Sequence, residues 1–284
     1  LSTFAIRGLR WADLLRGPIG PRIRPATVSF LVGFAANHVF PARLGDIVRA
    51  FALRRLANVP VATGISSVFV ERVIDGLVVV GLGTLALALA PPDSTWARPM
   101  LGLFGAGFFT ALVGCGLAVV VAARPRFLPR LRRHPRVERV LLRVVDGMRT
   151  VTDPLRLLRV LALTAVIWLV ELGVYVVLAR ALGVDLPAAA LMGVMVGLTL
   201  GLVAPSAPAF VGVFEGLVIA GLAAYGIDEG RALAFALTLH VVHGVPGTVL
   251  GVLLAARYGV RLDRRGEALP SESADALRTG GRVG

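Results

Sequence analysis

Lysine is absent from the chain: all 30 basic residues are arginine, set against 17 acids. Cysteine occurs once, at Cys115 inside an apolar run, which excludes an intramolecular disulfide and leaves the redox compartment unmarked. Aromatic residues make up 7% and form no basic-aromatic module, so the net charge of +13 is not that of a nucleic-acid-binding domain. Charged residues are 17% of the chain, against about 25% in soluble domains. No signal peptide is visible, and the start at Leu1 in place of Met reads as a truncation. His240 and His243 have no HExxH pattern and no Cys or carboxylate at ligand spacing nearby, so neither a metal nor a cofactor is expected.

Apolar sequence is what the chain has in quantity. Hydrophobic residues are 56% of 284, with mean hydropathy +0.81. A soluble domain does not need that much apolar surface, so the chain reads as an all-α, polytopic membrane helix bundle. Residues 1–257 form a single transmembrane domain with no room for a second globular one. Residues 258–284 turn polar and Gly-rich, and read as a disordered cytoplasmic tail.

Leu1 to Arg24 carries five arginines against Asp13 and reads as a basic, cytoplasm-side segment. Thr27 to Phe40 is apolar but shorter than the ~20 residues that cross a bilayer. It meets Pro41, which cannot continue a helix ladder, and then Gly45, with Arg43, Asp46 and Arg49 around the break. Arg43 to Val59 is charged and amphipathic. Pro60–Leu89, Met100–Ala123, Val160–Leu182 and Ala232–Ala256 are long enough to span, and Gly244-Val-Pro246-Gly247 is expected to kink the last. Between Arg124 and Arg159, eleven Arg against Glu138, Asp146 and Asp153 leave a net +8. Apolar residues fall there at helical spacing, as in a basic helix lying on anionic inner-leaflet lipid. The positive-inside rule puts that loop (124–157) and the tail in the cytoplasm, in the inner (plasma) membrane. Thr27–Val59 then enters and leaves on the cytoplasmic side, and Pro187–Ile227 on the outer side, as a re-entrant hairpin or two full spans.

An internal repeat supports this arrangement. Pro41-Ala-Arg-Leu-Gly45-Asp46 matches Pro208-Ala-Phe-Val-Gly212-Val-Phe-Glu215, with the prolines 167 and the acids 169 residues apart. At the offset of 169, Glu71 pairs with His240. One copy opens from inside and the other from outside, so the halves (27–123 and 158–257) form an inverted repeat. Transporters place substrate at such an interface.

Charge inside a membrane is costly and must be paired or line a wet cavity. Glu71 and Asp75 share a face at i, i+4, and Arg72 and Asp75 are spaced to pair at i, i+3. Arg43 and Arg49 are candidate phosphate holders, because guanidinium grips phosphate oxygens bidentately. Glu215, alone among forty-one apolar residues from Pro187 to Ile227, needs a partner: an Arg from the first half or a cationic head group. His240 and His243 read as polar residues hydrogen-bonding between helices. Glu171 stands alone in its helix.

The pattern Asn37…Pro41-x-Arg43-x-Gly45-Asp46-x-x-Arg49, then Ser66, then Glu71-Arg72-x-x-Asp75, resembles the flippase-like family, the membrane region of lysylphosphatidylglycerol synthase (the multiple peptide resistance factor). Pro205-x-x-Pro208-x-x-x-Gly212-x-x-Glu215-Gly216 is similar to that family's second signature. The resemblance covers nearly the whole chain. Ile6-Arg7-Gly-Leu-Arg10-Trp11 resembles the end of the family's second helix, which implies that about two N-terminal helices are missing. Asp46 stands where the family more often has Glu, and Phe214 where it often has Arg. The resemblance implies movement of a lipid between leaflets and brings Asn37 and Ser66 into the substrate-binding set with Arg43, Asp46, Arg49, Glu71, Arg72, Asp75, Glu215 and His240. No soluble aminoacyl-transferase domain is present, so a separate synthase is an expected partner and enzymatic activity is not expected of this chain. The expected cargo is an anionic, aminoacylated or lipid-linked phosphate, such as a phospholipid or polyprenyl-phosphate lipid. The rival readings are a membrane-embedded subunit of a lipid-modifying enzyme and a non-transporting scaffold.

Overall fold

A computed structural model describes residues 2–15, 23–40, 44–92, 154–203 and 207–260, with scattered positions between 99 and 113. Arg43, the 124–157 loop and the tail beyond 260 lie outside the described residues, as does most of the Met100–Ala123 run. The described part is all helical, as the apolar runs require. Among the described residues the helices are α1 (Ser2–Leu14), α2 (Ile23–Val39), α3 (Gly45–Ala57), α4 (Val61–Leu89), α5 (Pro154–Ala181), α6 (Ala188–Gly201), α7 (Val213–Ala223) and α8 (Glu229–Arg257), with a 3-10 turn at Pro208–Phe210. Three of them, α4, α5 and α8, are long and apolar enough to cross a membrane. Their outer faces carry exposed Leu77, Leu85, Leu169, Val177, Val249 and Leu253, which suits hydrocarbon and not water.

The other apolar helices are short. α2 has 17 residues and α6 has 14, so at 1.5 Å per residue neither covers the ~30 Å hydrocarbon core. α7 has 11. The Pro187–Ile227 stretch therefore has the dimensions of a hairpin and not of two full spans. Asn37 stabilises the first break: its Oδ1 accepts the Gly45 amide hydrogen at 2.7 Å. A Cβ on Gly45 would stand 2.0 Å from the Gly33 carbonyl oxygen, so only glycine lets α3 start this close to α2. At the second break Gly212 has φ 82°, and the Glu215 carboxylate accepts its amide hydrogen at 2.7 Å. α8 starts on Asp228, whose side chain accepts from the Arg231 amide, and continues through Pro246 to Arg257 without a break.

The order of helices repeats. Gly45 to Val213, Val61 to Glu229 and Leu89 to Arg257 are each 168 residues apart, and α4 and α8 are both 29 residues long. The packing repeats as well. α2 packs on α3 and crosses to α8, while α6 packs on α7 and crosses to α4. α1 touches α2 and α4, as α5 touches α6 and α8, and α1 meets α5. Each half thus places its short first helix on the other half's long one. Gly251 permits one of these crossings, because a Cβ there would lie 2.2 Å from the Leu31 carbonyl oxygen on α2.

The segment read as basic and cytoplasm-side holds a packed helix: α1 buries Trp11, Ala12, Leu14 and Leu15 in a core with Leu53, Val70, Ile74 and Val160. Arg10 and Asp13 are buried with them. A count of arginines does not distinguish a solvated face from one whose charges are all matched inside.

Candidate functional site

Three arginines and three carboxylates converge where α1, α3, α4 and α5 meet. Arg10 on α1 is fully buried. Its Nη2 donates to Glu71 Oε1 at 2.9 Å and to Asp75 Oδ2 at 3.0 Å, and its Nη1 contacts Asp75 Oδ1 and donates to Thr164 Oγ1 on α5 at 3.0 Å. Arg49 on α3 donates to Glu71 Oε2 at 2.8 Å, and its Nε stands 3.6 Å from Asp46. Arg72 closes the chain of charges on Asp46 at 2.8 Å. The guanidinium of Arg49 also lies 4.7 Å from the centre of the Trp11 ring, and the Trp11 indole donates to Ser67 at 2.9 Å. The charges cancel, and Glu71 is met on both oxygens, which is the condition for tolerating ionised groups at such depth.

The i, i+4 reading of Glu71 and Asp75 holds, since Arg10 forks across both. The i, i+3 pairing of Arg72 with Asp75 does not. Arg72 turns to Asp46, and Asp75 is taken by Arg10. A spacing along one helix permits a pair, but a bidentate partner from another helix offers better geometry. The network is buried at one end and open at the other. The side chains of Arg10 and Glu71 are 0% and 1% exposed, while those of Arg72 and Asp46 are 45% and 32% exposed.

Glu215 lies in a separate group. Among the described residues its partners are the Gly212 amide and His240, whose Nδ1 is 2.5 Å from Glu215 Oε1. Among the described residues no first-half arginine pairs with it. His240 Nε2 stands 2.8 Å from the Ala209 carbonyl oxygen, and its ring stacks on Phe214 at 4.3 Å. His243, one turn on, contacts Glu171 of α5, which also accepts from Arg7 at 3.1 Å. Both histidines bond between helices, as expected, but to different acids. The two broken-helix tips do meet: Phe210 lies edge-on to His38 at the end of α2, with ring centres 5.8 Å apart. Ser66 is buried and donates to the Ala62 carbonyl in its own helix.

Sequence reasoning missed Arg10, Thr164, His38 and the role of Arg7. Arg10 had one signal, its place beside Trp11 between apolar Leu9 and Ala12. Thr164 and His38 had none, because their importance comes only from what packs beside them.

Comparison with known proteins agrees with this architecture. The chain is 30% identical over 289 residues to a protein of Haloferax volcanii named glycosyltransferase AglD, a match covering 88% of this chain and 46% of that protein. The chain thus spans about half the length of this relative. It is 23% identical to a UPF0104 membrane protein of Methanothermobacter thermautotrophicus, covering 89% of this chain and 80% of the relative. No solved structure matches. The family model for the lysylphosphatidylglycerol synthase TM region matches residues 1–251, and the chain belongs to that family of membrane proteins.

Proposed function

We propose that the chain moves a lipid with an anionic or phosphate-linked head group between the leaflets of its membrane. The observation that carries this reading is the Arg10–Glu71–Arg49–Asp46–Arg72 network, sealed at Arg10 and open at Asp46 and Arg72. A purely structural lock gains nothing from an open end. A phosphate reaching Arg72 can exchange with Asp46 and then with Glu71 for Arg49, keeping every charge paired along the way. Displaced carboxylates are then free to meet a cationic or hydroxylated head group. The first broken helix ends beside this network, where α3 starts at Gly45 and carries Asp46 and Arg49, an arrangement like that which transporters use for their sites. The lipid tails stay in hydrocarbon throughout.

The relative named as a glycosyltransferase favours a lipid-linked sugar as cargo over an aminoacylated phospholipid. It also keeps open a second reading, in which this region is the membrane part of a lipid-modifying enzyme. Purified chain in liposomes, loaded in turn with fluorescent phosphatidylglycerol, a labelled polyprenyl-phosphate sugar and fluorescent phosphatidylcholine, separates these. We expect faster translocation than in protein-free liposomes for one of the anionic lipids, abolished by Arg49→Ala and by Glu71→Gln in protein that stays monodisperse. Rates equal to protein-free liposomes for all three lipids would reject translocation.

A further inference from the structure

The two halves place ionisable groups at matching positions but of different kinds. In the first half Asp46 and Glu71 face arginines. Guanidinium does not lose its proton in proteins, so the cationic side of that network is fixed. In the second half the matching positions hold Glu215 and His240, and a histidine does exchange its proton in the physiological range.

The geometry at His240 constrains where protons sit. Ala209 offers a carbonyl oxygen, which only accepts, so the Nε2 facing it at 2.8 Å carries a hydrogen. Nδ1 faces Glu215 Oε1 at 2.5 Å. A hydrogen must lie in that contact too, on the ring as imidazolium or on the carboxyl. The pair therefore holds one proton more than a neutral histidine beside a carboxylate. When that proton leaves, the one ring hydrogen that remains serves only one of the two contacts, so either Glu215 or Ala209 then faces a lone pair and that contact opens.

That contact holds a strained element. Ala209 and Phe210 have φ of 54° and 61°, a left-handed conformation costly for residues with a Cβ. His240 anchors Ala209, Phe214 stacks on His240, and Phe210 rests on His38 at the tip of the other broken helix. The groups facing this pair from the surrounding elements are His38 on α2, His243 on α8 itself and, beyond it, Glu171 on α5 with Arg7 on α1. His243 needs no extra proton, because its contact to Glu171 uses a single ring hydrogen.

We propose that Glu215 and His240 form a proton-carrying site whose loading sets the position of the 208–210 tip, so that a proton crosses in the same cycle as the lipid. The proposal rests on the translocation reading above. It is tested in two arms on the full chain. In lipid nanodiscs, ¹⁵N NMR of the histidine rings, with His240 assigned by its loss in His240→Asn, is read across pH for a ring protonated on both nitrogens. The expected result is that this signature is present in the wild type, lost in Glu215→Gln and kept in Glu215→Asp. In liposomes carrying whichever fluorescent anionic lipid is translocated, an imposed pH gradient should change the wild-type rate. The response should be lost in His240→Asn and Glu215→Gln. A His240 ring that does not titrate, or titrates identically in Glu215→Gln, overturns the site. A titrating ring with a gradient-independent rate overturns the coupling. A titrating ring in a chain that translocates nothing overturns the lipid reading instead.

Discussion

Arg10 and Arg72 belong to the same charge network but stand in different surroundings. Arg10 is fully buried and holds two carboxylates at once; Arg72 is half exposed and holds one. Removing one partner from a buried group strands the other charge, at about 3–5 kcal/mol, whereas the less enclosed Arg72–Asp46 pair strands less on losing one member. Arg10→Ala is thus expected to lower the thermal stability of the detergent-solubilised chain markedly, and Arg72→Ala to leave it nearly unchanged while slowing translocation. Equal melting temperatures for the two variants would contradict the burial gradient and the idea that one end of the network opens. The acids of this group were legible from sequence, because a carboxylate in a long apolar run is conspicuous. Their partners were not, since Arg10 comes from 61 residues away and looked like one of many loop arginines.

At the scale of the helix, the breaks were readable and the contacts that permit them were not. Pro41, Pro208 and the glycines mark where α2 and the 208–210 turn must stop. Which glycines carry a crossing depends on what lies opposite. A Cβ at Gly251 would meet backbone of α2, while one at Gly81 on α4 would meet nothing within 4 Å. Gly251→Leu should therefore force α2 from α8 and destabilise the chain by about 1–3 kcal/mol, with Gly81→Leu as the neutral control. Equal stability of the two variants, read by thermal unfolding in detergent, would show that close packing does not govern these sites. Asn37, placed in the binding set by resemblance, acts in this structure on the break itself, through its bond to the Gly45 amide.

For the molecule as a whole, the repeated order of helices and the crossed packing of α2 on α8 and α6 on α4 describe two interlocked halves. We propose that the two are inverted, on the positive-inside expectation that the eleven-arginine stretch and the neutral loop near Asp93 lie on opposite sides. A cysteine at Ser94, in a Cys115→Ser background, should react with an impermeant reagent added outside intact cells, and one at His134 should not. The opposite labelling pattern would reverse every assignment of sides.

Composition and the length of unbroken apolar runs determined that this is a helical membrane protein, because a helix satisfies its backbone within such a run, whereas barrel strands alternate apolar and polar residues. Pattern alone located the two breaks and most of the acids, since proline, glycine and isolated charge carry their physics locally. Tertiary structure decided the pairing. It took Asp75 from Arg72 and gave it to Arg10, gave Glu215 to His240, and sorted the charges into one group held by arginines and one held by histidines. Pairing is a matter of which helices lie side by side, and no spacing along one helix contains that.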